Sequence, residues 1–231
     1  MKILTIIILF SLYVSQACGV SLIGSGIFCT TPNDGDTLNE GFLGTGYEGS
    51  WTETIGSGAT LDEDHTLTGT PPEGSCTEGL NVETSGSADT YSKPALASAL
   101  SYPIVINFEL YVTTLTLASW NFINVFEAGV NGGSSDIHDV ELWKDGTGNY
   151  YIVTSGLSAS ADIAFSLSTW HTVKLYLHSA ASSSYLQLDG GTKYTFTRNS
   201  TVPDQFKLGA LQTSSGEVTD IEFGRFWVDT P

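Results

Sequence analysis

The closing part of the sequence places two carboxylates close together. Asp220 and Glu222 are separated by one residue in a segment that alternates like a β-strand. Residues i and i+2 of a strand point to the same face, so these side chains are predicted to project side by side. Such a pair can cut a sugar chain as nucleophile and acid/base. The alternative is that the pair forms the solvated face of a closing strand.

Three further segments are predicted to be strands with aromatic side chains on their polar faces. Sugar rings stack on flat side chains and form hydrogen bonds with carboxylates and amides. If these strands are neighbours in one sheet, their polar faces form one shallow surface that could bind a glycan. The predicted ligand-binding residues are Asp139, Glu141, Trp143, Tyr176, Tyr185 and Gln187.

Calcium is the ion that the sequence favours. Several Asp and Glu residues cluster in turn-rich segments, where carboxylates and carbonyls could converge on a hard cation. None of the clusters has the spacing of a dedicated calcium loop, and a solvated loop is the alternative for each. The four histidines are scattered without zinc spacing. The candidate calcium ligands are Asp62, Asp64 and Asp136.

Short alternating runs separated by turn residues predict an all-β fold. In the segment from Ile104 to Thr113, every second residue is apolar, which is typical of a half-buried antiparallel strand. The segment from Leu186 to Tyr194 contains Asp189-Gly190-Gly191 and is predicted to be a hairpin. Similar runs continue to Val228, so we predict a β-sandwich or barrel.

Four stretches of the sequence resemble one superfamily. They are Glu40 to Glu53, Phe108 to Val112, Leu167 to Tyr176 and Asp220 to Asp229. The chain resembles the concanavalin A-like lectin/glucanase superfamily and its laminin G-like jelly rolls from about Glu40 to Asp229. The resemblance implies a jelly-roll β-sandwich of two antiparallel sheets, often with a glycan or calcium site. The same architecture hosts lectins, adhesion modules, hydrolases and lyases, so it does not imply an enzyme.

The resemblance argues against catalysis at Asp220 and Glu222. Sugar-cleaving members that use two acids carry three carboxylates on one strand face, whereas Val218 stands at the matching position here. Sugar lyases of this fold carry a Gln-Ile-His motif, of which Asp136-Ile137-His138 is a faint echo with Asp in place of Gln. An enzyme is therefore not favoured.

The N-terminus has the pattern of a secretory signal. A single positive charge and a short apolar run end in small residues, which predicts a signal peptide over residues 1–19. Cleavage just before Cys18 is the alternative, and it would leave that cysteine as a lipid anchor. Residues 20–39 are predicted to form a leader, and residues 40–231 the single domain. In an oxidising compartment, Cys29 and Cys76 are expected to form a disulfide.

The charge of the chain restricts its partners. The sequence has 25 acidic and 8 basic residues, with a net charge of −17 at pH 7. Nucleic acid is a poor partner for such a surface, because binding draws on many Lys and Arg contacts to phosphate. No second apolar run of membrane length follows the signal. Glycans, cations and extracellular protein surfaces remain open as partners.

Three functions follow from these observations. The first is a secreted, non-catalytic binding module for carbohydrate, with calcium as a candidate cofactor. The second is a structural or adhesive surface protein that self-assembles through sheet edges. The third and weakest is a glycoside hydrolase or polysaccharide lyase.

Overall fold

The computed structural model describes residues 52–72, 78–86, 88–93, 100–130, 136–155, 162–211 and 217–229. Within these ranges the chain forms fourteen strands and one 3₁₀ turn, Ala181–Ser183. In chain order the strands are β1 (Thr52–Thr54), β2 (Thr60–Thr66), β3 (Glu78–Thr84), β4 (Thr90–Lys93), β5 (Ile104–Thr116), β6 (Phe122–Gly129), β7 (Asp136–Lys144), β8 (Tyr150–Val153), β9 (Ile163–Phe165), β10 (Trp170–Leu177), β11 (Ser184–Leu188), β12 (Lys193–Phe196), β13 (Gln205–Leu211) and β14 (Val218–Asp229).

The strands form two antiparallel sheets of seven strands each. Sheet A has the order β1-β4-β13-β6-β7-β8-β9, and sheet B has the order β12-β11-β10-β5-β14-β3-β2. The two sheets pack face to face through one shared apolar core. This architecture confirms the predicted jelly-roll β-sandwich.

Phenylalanine rings fill the middle of the core. Phe108 on β5 is fully buried, and its ring lies 5.8 Å from that of Phe126 in sheet A and 6.2 Å from that of Phe223. Phe206 and Phe226 extend this cluster, with their ring centroids 6.1 Å apart. Apolar residues at alternate strand positions therefore face inward, and polar residues face outward.

Strand β14 lies inside sheet B rather than at its edge. It pairs with β5 on one side and with β3 on the other. The pairing with β5 shifts register between Asp220 and Ile221 and again between Phe223 and Phe226. These irregularities change which side chains share a face, so simple alternation does not hold along the whole strand.

The strongly alternating segments are strands as predicted, and the hairpin of β11 and β12 is confirmed. Strands β1 to β4 and β9 were not predicted, because they are short or carry charged and polar residues that give little alternation. Within the described residues, no helix has the length and apolar character that a membrane span needs. The predicted signal peptide, the leader and the pair Cys29 and Cys76 lie outside the described residues.

Replacing Phe108 by alanine should cost much of the stability of the domain. The substitution leaves a cavity between the two sheets, and we expect a loss of about 3–5 kcal/mol in the free energy of unfolding. Urea unfolding of the variant and the wild type measures this loss. Thr113→Ala, at an exposed position of the same strand, is the control and should change stability by less than about 0.5 kcal/mol. Equal losses in the two variants would contradict a core centred on Phe108.

Candidate functional site

The structure divides the predicted glycan-binding residues between two sheets. Trp143, Glu141 and Asp139 lie on β7 in sheet A, whereas the other three lie on β10 and β11 in sheet B. The three strands are therefore not all neighbours in one sheet, and the six residues do not form one surface. Each set keeps its predicted side, because Val140 and Leu142 on β7 are fully buried in the core and the polar set faces outward. The residues in sheet B are Tyr176, Tyr185 and Gln187.

On sheet A, four polar residues form a cluster across β6 and β7. Glu127 lies directly opposite Asp139, and Asn124 lies directly opposite Glu141. We call Asn124, Glu127, Asp139 and Glu141 the polar cluster. Asn124 donates a hydrogen bond of 2.9 Å from Nδ2 to Oε1 of Glu127, and Lys207 on β13 donates one of 2.8 Å to Oε2. Glu127 is thus a buried carboxylate that accepts hydrogen bonds from two side chains. These hydrogen bonds hold Asn124 and Lys207 in position beside it.

A register shift brings Asn124 and Glu127 to one face. Residues three apart in a regular strand point to opposite faces, but the pairing of β6 with β7 shifts between Asn124 and Phe126. The alternation of residues in the sequence does not reveal a register shift. Asn124 and Glu127 were therefore not among the site residues predicted from the sequence. Asn124 Oδ1 is buried and has no hydrogen-bond partner in the described part of the chain. A buried polar atom without a hydrogen-bond partner is rare in folded proteins. Glu141 lies directly opposite Asn124 in the register.

Burial raises the pKa of both outer carboxyl groups of the cluster. Burial, together with the negative charge of Asp139, raises the pKa of Glu141 to about 7. Burial also raises the pKa of Asp139, although a hydrogen bond of 2.6 Å from the Ser155 amide to Oδ1 opposes the shift. Near neutral pH, Glu141 is therefore present in both forms, and its protonated form can donate a hydrogen bond.

An aromatic stack flanks the polar cluster. Trp143 lies between Trp120, 5.7 Å away at an interplanar angle of 23°, and Tyr151, 5.0 Å away at 25°. Trp120 is 70% exposed, and Phe122, directly opposite Trp143 on β6, is 38% exposed. We call Trp120, Trp143 and Tyr151 the aromatic stack. Large apolar rings exposed beside buried polar groups are typical of a ligand site.

The backbone holds Trp120 outward at a conformational cost. Its φ of 66° lies in the left-handed region, which is unusual for a bulky residue. Its amide donates a hydrogen bond of 2.7 Å to the Lys144 carbonyl, and its ring lies against Gly146, where a Cβ atom would come within 3.1 Å. A loop residue of this kind has no strand pattern, so Trp120 could not be identified from the sequence. Strain that presents an exposed ring favours a role in binding.

The turn after β7 holds the other end of the stack. The Asp145 carboxylate accepts hydrogen bonds of 2.8 Å from the backbone amides of Thr147 and Asn149. It also accepts one of 3.2 Å from the Tyr151 hydroxyl. The ring of Tyr151 is therefore fixed against Trp143 by a rigid turn.

Glu222 has a structural role that the sequence did not predict. It was expected on the solvated face of β14, but it is only 2% exposed. Its carboxylate accepts hydrogen bonds of 2.7 and 2.6 Å from the amide and hydroxyl of Thr68, and Trp170 Nε1 donates one of 2.6 Å to the Thr68 carbonyl. The segment after β2 covers this part of sheet B, which buries Glu222. Asp220 accepts a hydrogen bond of 2.8 Å from Asn81.

The candidate calcium ligands are spread over both sheets. Asp62 and Asp64 lie on β2 in sheet B, and Asp136 begins β7 in sheet A. The Asp62 side chain is exposed and lies 3.8 Å from His65, whereas the side chains of Asp64 and Asp136 are outside the described part. Among the described side chains, no group of three or more His, Cys, Asp or Glu converges on one point. Calcium binding stays a prediction.

His138 does not join the outer surface. It is 1% exposed and packs toward Phe196 of the opposite sheet, at 6.4 Å between ring centroids. Burial, with the positive charge of Arg198, lowers its pKa to about 4. The His138 ring faces the core and not the side of β7 that carries the polar cluster, so it cannot reach a substrate there. This position argues against a lyase role for Ile137-His138.

Comparison with known proteins supports the fold. No protein-family model and no curated protein matches this sequence. The solved structure of Cip1, a cellulose induced protein, is similar with a TM-score of 0.56 at 12% identity, over 78% of this chain and 91% of that chain. A sialidase has a TM-score of 0.53 at 12% identity, over 78% of this chain and 17% of its own. These likenesses are consistent with a concanavalin A-like fold.

The raised pKa of Glu141 predicts how stability changes with pH. Since folding raises this pKa from 4.5 to about 7, the protonated acid is favoured in the folded state. The associated stability is fully present below pH 4.5 and is lost as the pH rises through 7. Glu141→Gln should therefore match the wild type at low pH. Near pH 8 it should be more stable by about 1 kcal/mol, because water screens part of the effect at this half-buried group.

Urea unfolding at several pH values between those limits measures the difference. Glu53→Gln, at an exposed position of β1 in the same sheet, is the matched control and should show no such trend. A difference between Glu141→Gln and wild type that is the same at both ends of the pH range would contradict the prediction.

Proposed function

We propose that the protein binds a neutral carbohydrate on the outer face of sheet A. The observation that carries the proposal is the line of Asp139, Glu141 and Trp143 along one strand face, with the exposed ring of Trp120 stacked beside it. A pyranose ring presents an apolar face to an aromatic ring and hydroxyl groups at its rim. The aromatic stack would take the apolar face, and the half-buried carboxyls would accept from the hydroxyls.

The charges of the polar cluster favour a neutral sugar. Glu127, Asp139 and Glu141 lie on one face, and among the described ion pairs only that of Lys207 with Glu127 compensates them. A carboxylate or sulfate on the ligand would be repelled there, whereas a hydroxyl gains a charge-assisted hydrogen bond. The name of one similar structure, a cellulose induced protein, is consistent with a ligand of this class.

Secretion and calcium belong to the same proposal. We infer export from the segment 1–19 and a disulfide between Cys29 and Cys76, as the sequence predicts. Bound calcium would strengthen glycan binding.

The alternative of a structural or adhesive assembly protein predicts a different result. Such a protein would self-associate through the edge strands β1, β9, β12 or β2 and would bind no glycan.

Trp143→Ala should weaken glycan binding by about tenfold or more, because the central ring of the aromatic stack is lost. Calorimetry with a panel of neutral oligosaccharides, including cellohexaose, measures the effect with calcium and with a chelator. Trp120→Ala is a second variant that removes an exposed ring, so a folding defect is not expected. Tyr185→Ala in sheet B is the matched control and should bind like the wild type.

Loss of glycan binding in Tyr185→Ala, but in neither tryptophan variant, would place the site on sheet B and contradict the proposal. No binding to any neutral glycan, together with self-association at modest concentration, would favour the assembly function instead.

Glycan cleavage is a second candidate function, and the pKa of Glu141 is the observation that favours it. A carboxylic acid with a pKa of about 7 is suited to protonate a glycosidic oxygen as the bond to the anomeric carbon breaks. Asp139, on the alternate position of the same strand face, would act as the nucleophile at that carbon. Water would then release the sugar, with Glu141 taking the proton back.

The test of cleavage is the release of new reducing ends from the same neutral oligosaccharides between about pH 4 and 8, the range in which catalytic carboxyls titrate. An enzyme of this kind should lose activity in Glu141→Gln by about a hundredfold or more while it still binds the glycan. No product from the wild type across this range, or equal activity in Glu141→Gln, would exclude the role.

A further inference from the structure

The outer face of sheet B carries a patch of lysine and tyrosine side chains. Lys174 on β10 lies directly opposite Gln187 on β11, which in turn lies directly opposite Lys193 on β12. In the next row, Tyr176 on β10 lies opposite Tyr185 on β11. We call these five residues the lysine-tyrosine patch. Directly opposite residues share a face, so the two lysines flank the amide of Gln187 across three strands.

The aromatic rings of the patch are held close together. The rings of Tyr176 and Tyr185 are 5.1 Å apart at an interplanar angle of 49°, and His178 meets Tyr176 edge-on at 5.5 Å. Lys193 Nζ lies 4.7 Å from the centre of the Tyr185 ring. A cation this close to a ring face is attracted to it, which positions the ammonium group at the surface.

Neither lysine of the patch forms an ion pair within the described residues. The whole sequence has only 8 basic residues and a net charge of −17. Lys207, in contrast, is paired with Glu127. The carboxylate of the neighbouring hairpin, Asp189, is already bonded at 2.7 Å to His171 and at 2.8 Å to the Thr172 amide.

We propose that the lysine-tyrosine patch binds a saccharide that bears carboxylate or sulfate groups. The two ammonium groups would contact the anionic substituents, and the tyrosine rings would contact the sugar faces. Gln187 Nε2 already donates a hydrogen bond of 2.8 Å to the Gly191 carbonyl, so the Gln187 side-chain oxygen would accept a hydrogen bond from a sugar hydroxyl. This surface is separate from the polar cluster, because the two lie on the outer faces of opposite sheets. The protein would thus hold a neutral and an anionic glycan on its two sides.

The position of the patch favours a saccharide over an acidic peptide. Strands β10 and β11, which carry most of the patch, are each paired on both sides. A bound peptide could form a backbone ladder only at the edge of β12, which lies two strands away from Lys174 on β10. A sugar chain needs no such ladder, and its rings can lie flat over the side chains.

The experiment measures binding of three probes to the full chain by calorimetry. The probes are pentagalacturonate, a chondroitin sulfate hexasaccharide and a neutral galactan oligosaccharide. In Trp143→Ala, which lacks the proposed neutral glycan site, we expect at least one anionic probe to bind more tightly than the neutral one. Its affinity should fall as salt is raised from about 50 to about 300 mM, because surface ion pairs are screened. The variant with both Lys174→Gln and Lys193→Gln should bind that probe about tenfold more weakly.

Lys93→Gln on sheet A removes a positive charge elsewhere and should leave binding of the anionic probe unchanged. Trp143→Ala should also leave it unchanged, which separates this site from the neutral glycan site. The proposal is overturned if neither anionic probe binds, if the double variant binds like the wild type, or if the neutral galactan binds Trp143→Ala as tightly as the anionic probes do. A polyglutamate peptide that binds as tightly through the same two lysines would also overturn it in favour of an acidic protein partner.

Discussion

The packing of phenylalanine rings between the two sheets is the interaction on which the rest of the structure depends. Phe108, Phe126, Phe206, Phe223 and Phe226 come from both sheets and are at most 1% exposed. Their burial requires the inward positions of the central strands to be apolar. Most of the charged side chains of these strands are thereby placed at outward positions. Both binding surfaces that we propose lie on outer faces for this reason.

Register shifts determine which outward positions cooperate. In β6, one extra residue turns Asn124 and Glu127 to the same side, which allows the hydrogen bond between them. In β14, a shift between Phe223 and Phe226 separates the part that carries Glu222 from the part that carries Phe226. A sheet with perfect alternation would have spread these polar groups over both faces, where several would be buried in the core.

Alternation in the sequence was enough to predict the all-β class, the long central strands and the outward direction of Trp143. It could not supply the order of the strands, because pairing depends on contacts between residues far apart in the chain. Tyr176 therefore lies on the opposite side of the sandwich from Trp143. The burial of Glu222 could not be predicted either, since its partner Thr68 is 154 residues away. Trp120 lies in a loop, where the side-chain periodicity of neither strands nor helices applies.

The place of β14 has a consequence for the order in which the domain can form. This strand is the last one described, yet it joins β5 to β3 within sheet B. During synthesis from the N-terminus, β5 and β3 have no common partner until β14 emerges, so each keeps an open edge that another chain could pair with. The net charge of −17 is expected to oppose such pairing before folding is complete, because chains that carry like charges repel one another.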